Sequence, residues 1–163
     1  NFISIGNKNI AFVSASLSNP INGQHRLKGY KNALVNANIA FDEALVFECE
    51  PTLQNGELLA EQLLEAVVDA AYVAGDELAI GLLNAIINAG VSVPEAFEVT
   101  ASNNSRITEM ARPKLTSIML PLYDIGAVAM RLLTKIMNKE EIDEKSIILP
   151  YKIVNRGTTL PKK

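Results

Sequence analysis

Apolar runs of strand length alternate with segments of helical periodicity along most of the chain. The predicted strands are residues 10–15, 44–48, 70–74, 97–101, 115–120 and 147–154, the last of them interrupted by Pro150. In the intervening segments apolar residues recur three and four positions apart, as in Leu59, Leu63 and Val67,. This alternation is typical of an α/β fold in which helices cover both faces of a parallel sheet.

Two of the predicted helices carry more specific signals. The helix after residues 70–74 has Asp76 as its expected N-cap and Gly90 as the expected left-handed residue after its last turn,. The helix near residues 122–137 has an apolar stripe that we expect to face the core. That stripe consists of Ile125, Ala129, Leu132, Leu133 and Ile136.

Length and composition indicate a globular domain without a membrane segment. The 163 residues suffice for one domain or slightly more, and 48% of them are hydrophobic,. No apolar run approaches the roughly 20 residues of a membrane helix, and residues 1–5 lack the features of a signal peptide. We therefore expect a cytoplasmic location. Residues 1–6 resemble the end of a helix with its terminal glycine, so we expect a fragment of a longer protein,.

Charge and residue content exclude several functional classes. With 15 basic and 18 acidic residues the net charge is -3, which disfavours sequence-independent DNA binding by this chain,. One cysteine, Cys49, and one histidine, His25, give neither an internal disulfide nor a zinc site,. We interpret Cys49 as a buried thiol and His25 as a surface helix residue. Phosphate-binding loops and nucleophile elbows are missing from the sequence, so no catalysis, cofactor or metal is expected.

Polar residues follow several predicted strands at their carboxyl ends, where open parallel sheets bind small ligands. These residues are Ser14, Ser16, Glu50, Gly75, Asp76 and Ser102 to Asn104. Arg26 lies early in the next helix and can reach the same space. Such a set suits hydroxyl-rich or modestly anionic ligands. The alternative is that polar residues simply populate loops.

The helix near residues 122–137 offers a second candidate surface. Asp124, Val128, Arg131 and Lys135 are spaced by 4, 3 and 4 residues and so fall on one ridge,. Two cations one turn apart can hold a phosphate, while Tyr123, Ala127 and Val128 supply contact area for a protein partner. A merely solvated helix face is the alternative.

Five ordered motifs resemble the effector-binding core of the LacI/GalR transcription regulators. They are residues 7–13, 26–30, 75–81, 90–94 and 113–118. Residues 121–135 are similar to the catabolite-control members of that family, whose corepressor is the seryl-phosphorylated phosphocarrier protein HPr. The resemblance implies a repressor core with a periplasmic-binding-protein-like fold, which forms homodimers and reaches operator DNA only through an N-terminal domain absent here.

The resemblance also implies a domain division. Residues 1–114 and about 145–163 would form the C-terminal subdomain, which makes up most of the chain. Residues about 115–140 would return to the N-terminal subdomain. The chain would thus cross between the two subdomains.

Individual residues take roles from the same resemblance. Arg26 and Asp76 match effector contacts, and Asn103 stands where the family usually has a sugar-binding aspartate. Residues 101–104 replace the usual Gly-aromatic-Asp, which is a departure within the sugar pocket. The docking surface for HPr would comprise Tyr123, Asp124, Val128, Arg131 and Lys135.

Three other functions are compatible with the sequence. A repressor of the same family could respond to a small sugar or sugar phosphate. An exported sugar-binding protein of a transporter would share the fold. An α/β enzyme is the third, although no nucleophile and base are predicted to converge.

Overall fold

One six-stranded sheet organises the chain in the computed structural model, which describes residues 2–19, 23–142 and 146–161. The strands are β1 (Ile10–Ser14), β2 (Val46–Glu48), β3 (Ala70–Val73), β4 (Glu98–Ser102), β5 (Thr116–Met119) and β6 (Lys152–Val154). Their order is β2-β1-β3-β4-β5-β6. The first five are parallel and β6 is antiparallel to β5. The predicted α/β class is confirmed, with an antiparallel edge strand that the sequence pattern did not indicate.

Helices connect the strands and cover both faces of the sheet. They are α1 (Phe2–Ile5), α2 (His25–Asn36), α3 (Leu53–Glu65), α4 (Asp76–Asn88), α5 (Ile107–Met110) and α6 (Leu122–Met137). Alternation along β1 divides its side chains between two cores, because successive residues point to opposite faces. Ala11 and Val13 join the larger core with α3 and α4, whereas Ile10 packs with Phe2 and Tyr30 from α1 and α2.

Close contact between α3 and α4 fixes the helix layer beside the carboxyl end of β3. A Cβ built on Gly81 would lie 2.0 Å from the Leu53 carbonyl oxygen, and one on Gly56 would lie 2.1 Å from the Leu78 carbonyl oxygen. Only glycine permits this backbone approach. The two helices therefore pack backbone against backbone at these positions.

Five of the six predicted strands are shorter than expected, and for two of them the structure shows what takes the place of the missing residues. Glu43–Leu45 form a 3-10 turn before β2, because the Asp42 carboxylate accepts a hydrogen bond from the Ala44 amide at 2.9 Å. Of residues 147–154, only β6 pairs with the sheet. Gly6 and Gly90 have φ angles of 117° and 81°, so both predicted left-handed helix ends are confirmed.

The apolar stripe of α6 was predicted to face the core, and this prediction is wrong for the part of the chain that the structure describes. With only the described residues present, no residue of α6 is buried. Ile125, Leu133 and Ile136 are 43%, 47% and 59% exposed. The helix itself forms as its periodicity indicates. However, it packs closely against no described helix or strand, and Ile125, Ala129 and Leu132 border an open cavity of about 750 Å³ instead. Of the described helices, none is long and apolar enough to span a bilayer.

The predicted domain division stays a prediction. β5 pairs with β4 in the same sheet as the preceding residues, and α6 is the part of residues 115–140 that stands apart from that sheet. Residues 143–145, at one of the predicted boundaries, lie outside the described residues.

Candidate ligand-binding site

A cavity of about 500 Å³ lies at the carboxyl ends of β1, β3 and β4. The four residues predicted to bind an effector, Ser14, Arg26, Asp76 and Asn103, all line it. Its remaining walls are formed by Ala15, Ser16, Asn19, Pro51, Ala74, Gly75, Glu77, Ser105 and Ile107. Glu50 does not contribute. The strand-end argument thus predicted most of the polar wall, whose binding role stays a prediction.

Asp76 is the most constrained of these residues. It was predicted as the N-cap of α4, which is wrong, since Gly75 in extended conformation takes that place and Asp76 begins the helix. Its carboxylate, 5% exposed, accepts hydrogen bonds from the Ser105 amide at 2.7 Å and the Ser117 hydroxyl at 3.3 Å. The helix N-terminus favours this negative charge. Because a carboxylate offers about four acceptor positions, Asp76 retains capacity for a ligand donor.

The loop after β4 brings Asn103 to the rim of the cavity. Asn103 and Asn104 have φ angles of 99° and 54°, a region that asparagine tolerates better than most residues,. The Asn103 amide donates to the Ile118 carbonyl at 3.0 Å, and the Asn104 amide donates to the Ser117 hydroxyl at 3.0 Å. The loop is therefore fastened to β5, and the exposed Asn103 side chain is available to a ligand.

Arg26 borders both this cavity and a larger, mainly apolar one of about 750 Å³ beside α6. Its Nη1 donates to the Ala74 carbonyl at 3.4 Å, and among the described residues the other guanidinium donors have no partner,. Ser102, predicted together with Asn103, lines the larger cavity instead. The Ser102 hydroxyl is buried and has no hydrogen-bond partner among the described residues.

The composition of the 500 Å³ cavity limits what it can bind. A carboxylate, a guanidinium, an amide and a hydroxyl suit a hydroxyl-rich or modestly anionic molecule. Of the described residues that line it none is aromatic, so these residues offer no stacking platform to a sugar ring,. The described residues contain no cluster of three potential metal ligands.

The two residues considered for nucleophilic chemistry lie apart from the cavity. His25 is exposed at the start of α2, as predicted for a surface residue. Cys49 is half-buried against the larger core, and this burial raises the pKa of its thiol. A raised pKa disfavours the reactive thiolate. The predicted burial of Cys49 is therefore only partial.

The predicted partner surface on α6 is largely exposed. Tyr123 is 87% exposed, and Asp124, Ala127 and Arg131 are exposed as well. Val128 and Lys135 are half-buried, and Val128 lines the larger cavity, so the ridge is not wholly outward-facing. Among the described residues neither cation of this surface forms an ion pair.

Sequence reasoning missed Arg156, which lies beyond β6. Its side chain is 10% exposed and donates from Nη1 to the Leu115 carbonyl at 2.8 Å and from Nη2 to the Asn104 side-chain oxygen at 2.7 Å. These partners lie 41 and 52 positions away in the sequence. No local motif marks residues 155–157, so no pattern in the sequence could have identified this contact.

Comparisons with known proteins agree with the fold. The periplasmic binding protein-like domain family matches residues 1–159. Catabolite control protein A of Streptococcus mutans is 54% identical over 150 residues, which are 92% of this chain and 45% of that relative. This chain therefore spans about half the length of the curated relatives that it matches.

Solved structures give the same result. The transcription regulator CcpA of Lactococcus lactis superposes with a TM-score of 0.91 and 46% identity over 98% of this chain and 58% of that one. A sugar-binding LacI-family regulator from Escherichia coli, solved with phosphate, superposes with a TM-score of 0.86. It is 28% identical in sequence, and the match covers 98% of this chain and 57% of that one. The resemblance inferred from the sequence is thereby confirmed. The chain belongs to the periplasmic binding protein-like domain family, and within it is similar to catabolite control protein A and other LacI-type regulators.

Proposed function

We propose that the chain is the regulatory and dimerising core of a LacI/GalR-type transcriptional repressor that acts in catabolite control. The role is not catalytic, and operator DNA is bound through a domain outside these 163 residues. The similarity to catabolite control protein A supports this role, and the net charge of -3 is consistent with leaving DNA contacts to another domain,. Binding of a partner shifts the population between two arrangements of the subdomains.

The corepressor in this proposal is seryl-phosphorylated HPr, bound on α6. The observation that carries it is the exposure of Tyr123, Asp124 and Arg131 together with two cations, Arg131 and Lys135, that have no ion pair among the described residues. A phosphoryl group between them would accept charge-assisted hydrogen bonds, each contributing about 1.5–3 kcal/mol. Tyr123, Ala127 and the exposed part of Val128 would contact the surface of the carrier.

Titration of the full-length protein with phosphorylated HPr tests this site. The double variant Arg131→Ala, Lys135→Ala is expected to bind at least about tenfold more weakly than the parent, the equivalent of one charge-assisted hydrogen bond. The matched control is Lys8→Ala, Lys28→Ala, which removes two exposed cations elsewhere and should leave the affinity unchanged. Equal affinities for the α6 variant and the parent would refute docking through these cations.

A small sugar or sugar phosphate is the second input that the geometry favours, and a sugar-responsive repressor is accordingly the second candidate function. Ser14, Arg26, Asp76 and Asn103 surround one cavity and offer both donors and acceptors. A thermal-shift screen of sugars and sugar phosphates tests it, because a ligand of the folded state raises the melting temperature. The shift should disappear in Arg26→Ala and persist in Arg106→Ala, an exposed arginine outside the cavity lining. A screen without any shift in the parent would remove the effector role.

A further inference from the structure

Arg156 connects the last part of the chain to the loop that carries Asn103. It follows β6 at the edge of the sheet, and its guanidinium is largely shielded from solvent by α5 and the loop after β4. Its backbone amide donates separately to the Thr116 hydroxyl at 2.8 Å. The side chain can therefore be altered while the backbone anchor of residue 156 is kept.

The same loop is also held by Asp76. The Asp76 carboxylate accepts from the Ser105 amide, one residue beyond the Asn104 side chain that accepts from Arg156. Two consecutive loop residues are thus each held by a hydrogen bond to a residue distant in the sequence. Asn103 and Asn104 both have positive φ angles, a conformation that persists when surrounding contacts determine it,.

The contact of Arg156 with Glu109 is the weakest of its interactions. The Nη2 to Oε1 distance is 3.4 Å and the Glu109 side chain is 66% exposed. Exposed ion pairs of this kind contribute little. The bonds to Asn104 and to the Leu115 carbonyl, at 2.7 and 2.8 Å, are shorter and less exposed, and they fix the guanidinium plane,.

We infer that Arg156 is a positioning residue for the 500 Å³ cavity, because it holds the Asn103 to Ser105 loop at the cavity rim through Asn104. It does not line the cavity and acts on a bound molecule only through that loop. The inference deepens the proposed effector site and rests on it for the identity of the ligand as a sugar or sugar phosphate. The positioning itself does not depend on any ligand.

Amide hydrogen exchange in the full-length protein tests the positioning. Arg156→Gln is expected to accelerate exchange at the Asn104 and Ser105 amides about tenfold or more, because loss of a well-placed hydrogen bond favours local opening. Arg156→Lys, which keeps one charged donor, should restore part of the protection. Glu109→Gln removes the exposed ion pair alone and should leave these amides as in the parent.

The β3 amides serve as the internal reference for the same variants. Unchanged exchange in β3 together with faster exchange in the loop supports the inference. Parent-like exchange at Asn104 and Ser105 in Arg156→Gln would overturn it. A rise of equal size in the loop and in β3 would overturn it too, because Arg156 would then stabilise the whole domain rather than the loop.

Binding of glucose 6-phosphate, measured by calorimetry on the same proteins, separates this inference from the proposed effector function. If the parent binds this sugar phosphate, we expect about tenfold weaker binding by Arg156→Gln and parent-like binding by Glu109→Gln. Unchanged affinity in Arg156→Gln would contradict a positioning role toward the ligand. If neither glucose 6-phosphate nor any other sugar binds the parent, the effector function fails, and the exchange data still decide whether Arg156 positions the loop.

Discussion

Asp76 is the residue on which the wall of the cavity depends most. Replacement by alanine leaves the partly buried Ser105 amide and the buried Ser117 hydroxyl without their acceptor, so we expect a loss of about 1–3 kcal/mol in the free energy of unfolding,. Asp76→Asn should lose less, because the amide oxygen can still accept from Ser105. Urea unfolding measures both. Glu77→Ala, at the next and exposed position, is the control, and an equal loss there would contradict this account.

Tyr30 gives a pH-dependent prediction. Its hydroxyl donates to the Ile10 carbonyl at 2.7 Å, and burial, assisted by the charge of Asp42, raises the pKa of Tyr30 from 10.0 to about 12. The unfolded state therefore loses the phenolic proton first as the pH rises. The contribution of the protonated Tyr30 hydroxyl to the free energy of unfolding is fully present below pH 10.0, and it is lost as the pH approaches about 12,.

The measurement is the free energy of unfolding of parent and Tyr30→Phe at several pH values from about 9 to 12, a range that covers the rise of the Tyr30 pKa from 10.0 to about 12,. The variant lacks the hydroxyl, so the difference between the two proteins should shrink across that range. Tyr151→Phe, at a position 66% exposed, is the control for removal of a tyrosine hydroxyl. If the free energy of unfolding depends on pH identically in the parent and in Tyr30→Phe, the Tyr30 hydroxyl does not contribute to the pH dependence of stability.

Residue-level reasoning found the cavity wall and missed what supports it. Ser14, Arg26, Asp76 and Asn103 could be predicted because parallel strands deliver their carboxyl ends to one edge,. The contacts of Asp76 and Arg156 could not, since their partners lie 29 to 52 positions away and no local spacing encodes them. For the same reason the sequence predicts no role for Asp76 beyond the helix cap and the cavity wall.

Among the elements, the α3 and α4 pair is the most sensitive to side-chain volume. Gly81→Ala would place a Cβ against the Leu53 carbonyl, so one helix must move, and we expect a destabilisation of about 2 kcal/mol or more,. Gly29→Ala is the matched control in α2, where a Cβ meets nothing within 4 Å. It should stabilise by about 0.5–1 kcal/mol because alanine favours the helix. Thermal unfolding measures both variants. If Gly81→Ala and Gly29→Ala change the melting temperature in the same direction, the account is contradicted.

For α6, hydrophobic periodicity predicted the helix but not its burial. Its recurrent apolar positions correctly predicted a helix at residues 122–137. Periodicity states which side of a helix is apolar and not whether another element covers it. The expected burial of Leu133 and Ile136 therefore failed, since neither packs into a core among the described residues.

For the whole molecule, the succession of strands and helices along the chain could be predicted from the sequence. Alternating strand and helix patterns favoured parallel pairing, and this holds from β1 to β5,. The antiparallel direction of β6 was not readable, because the described stretch from 146 to 151 before it has no regular structure whose length or direction the pattern could convey. Pairing of β6 with β5 nevertheless carries Arg156 to the loop beside the cavity.

The two proposed binding sites, the effector cavity with its loop after β4 and the HPr surface on α6, involve segments that are close in the chain. The Asn103 amide bonds to Ile118 in β5, and α6 begins three residues after that strand ends. A ligand that moves the loop and a partner that binds α6 would thus act on neighbouring segments. Such proximity supports coupling between the inputs, and reciprocal changes in affinity would measure it.

The most direct measurement of the central claim is the affinity of the full-length protein for HPr with and without its seryl phosphate. If Arg131 and Lys135 receive the phosphoryl group, phosphorylated HPr binds at least about tenfold more tightly, and this advantage weakens as salt screens the charges. Equal affinity of the two forms at low salt would contradict the assignment of α6 as the regulatory input.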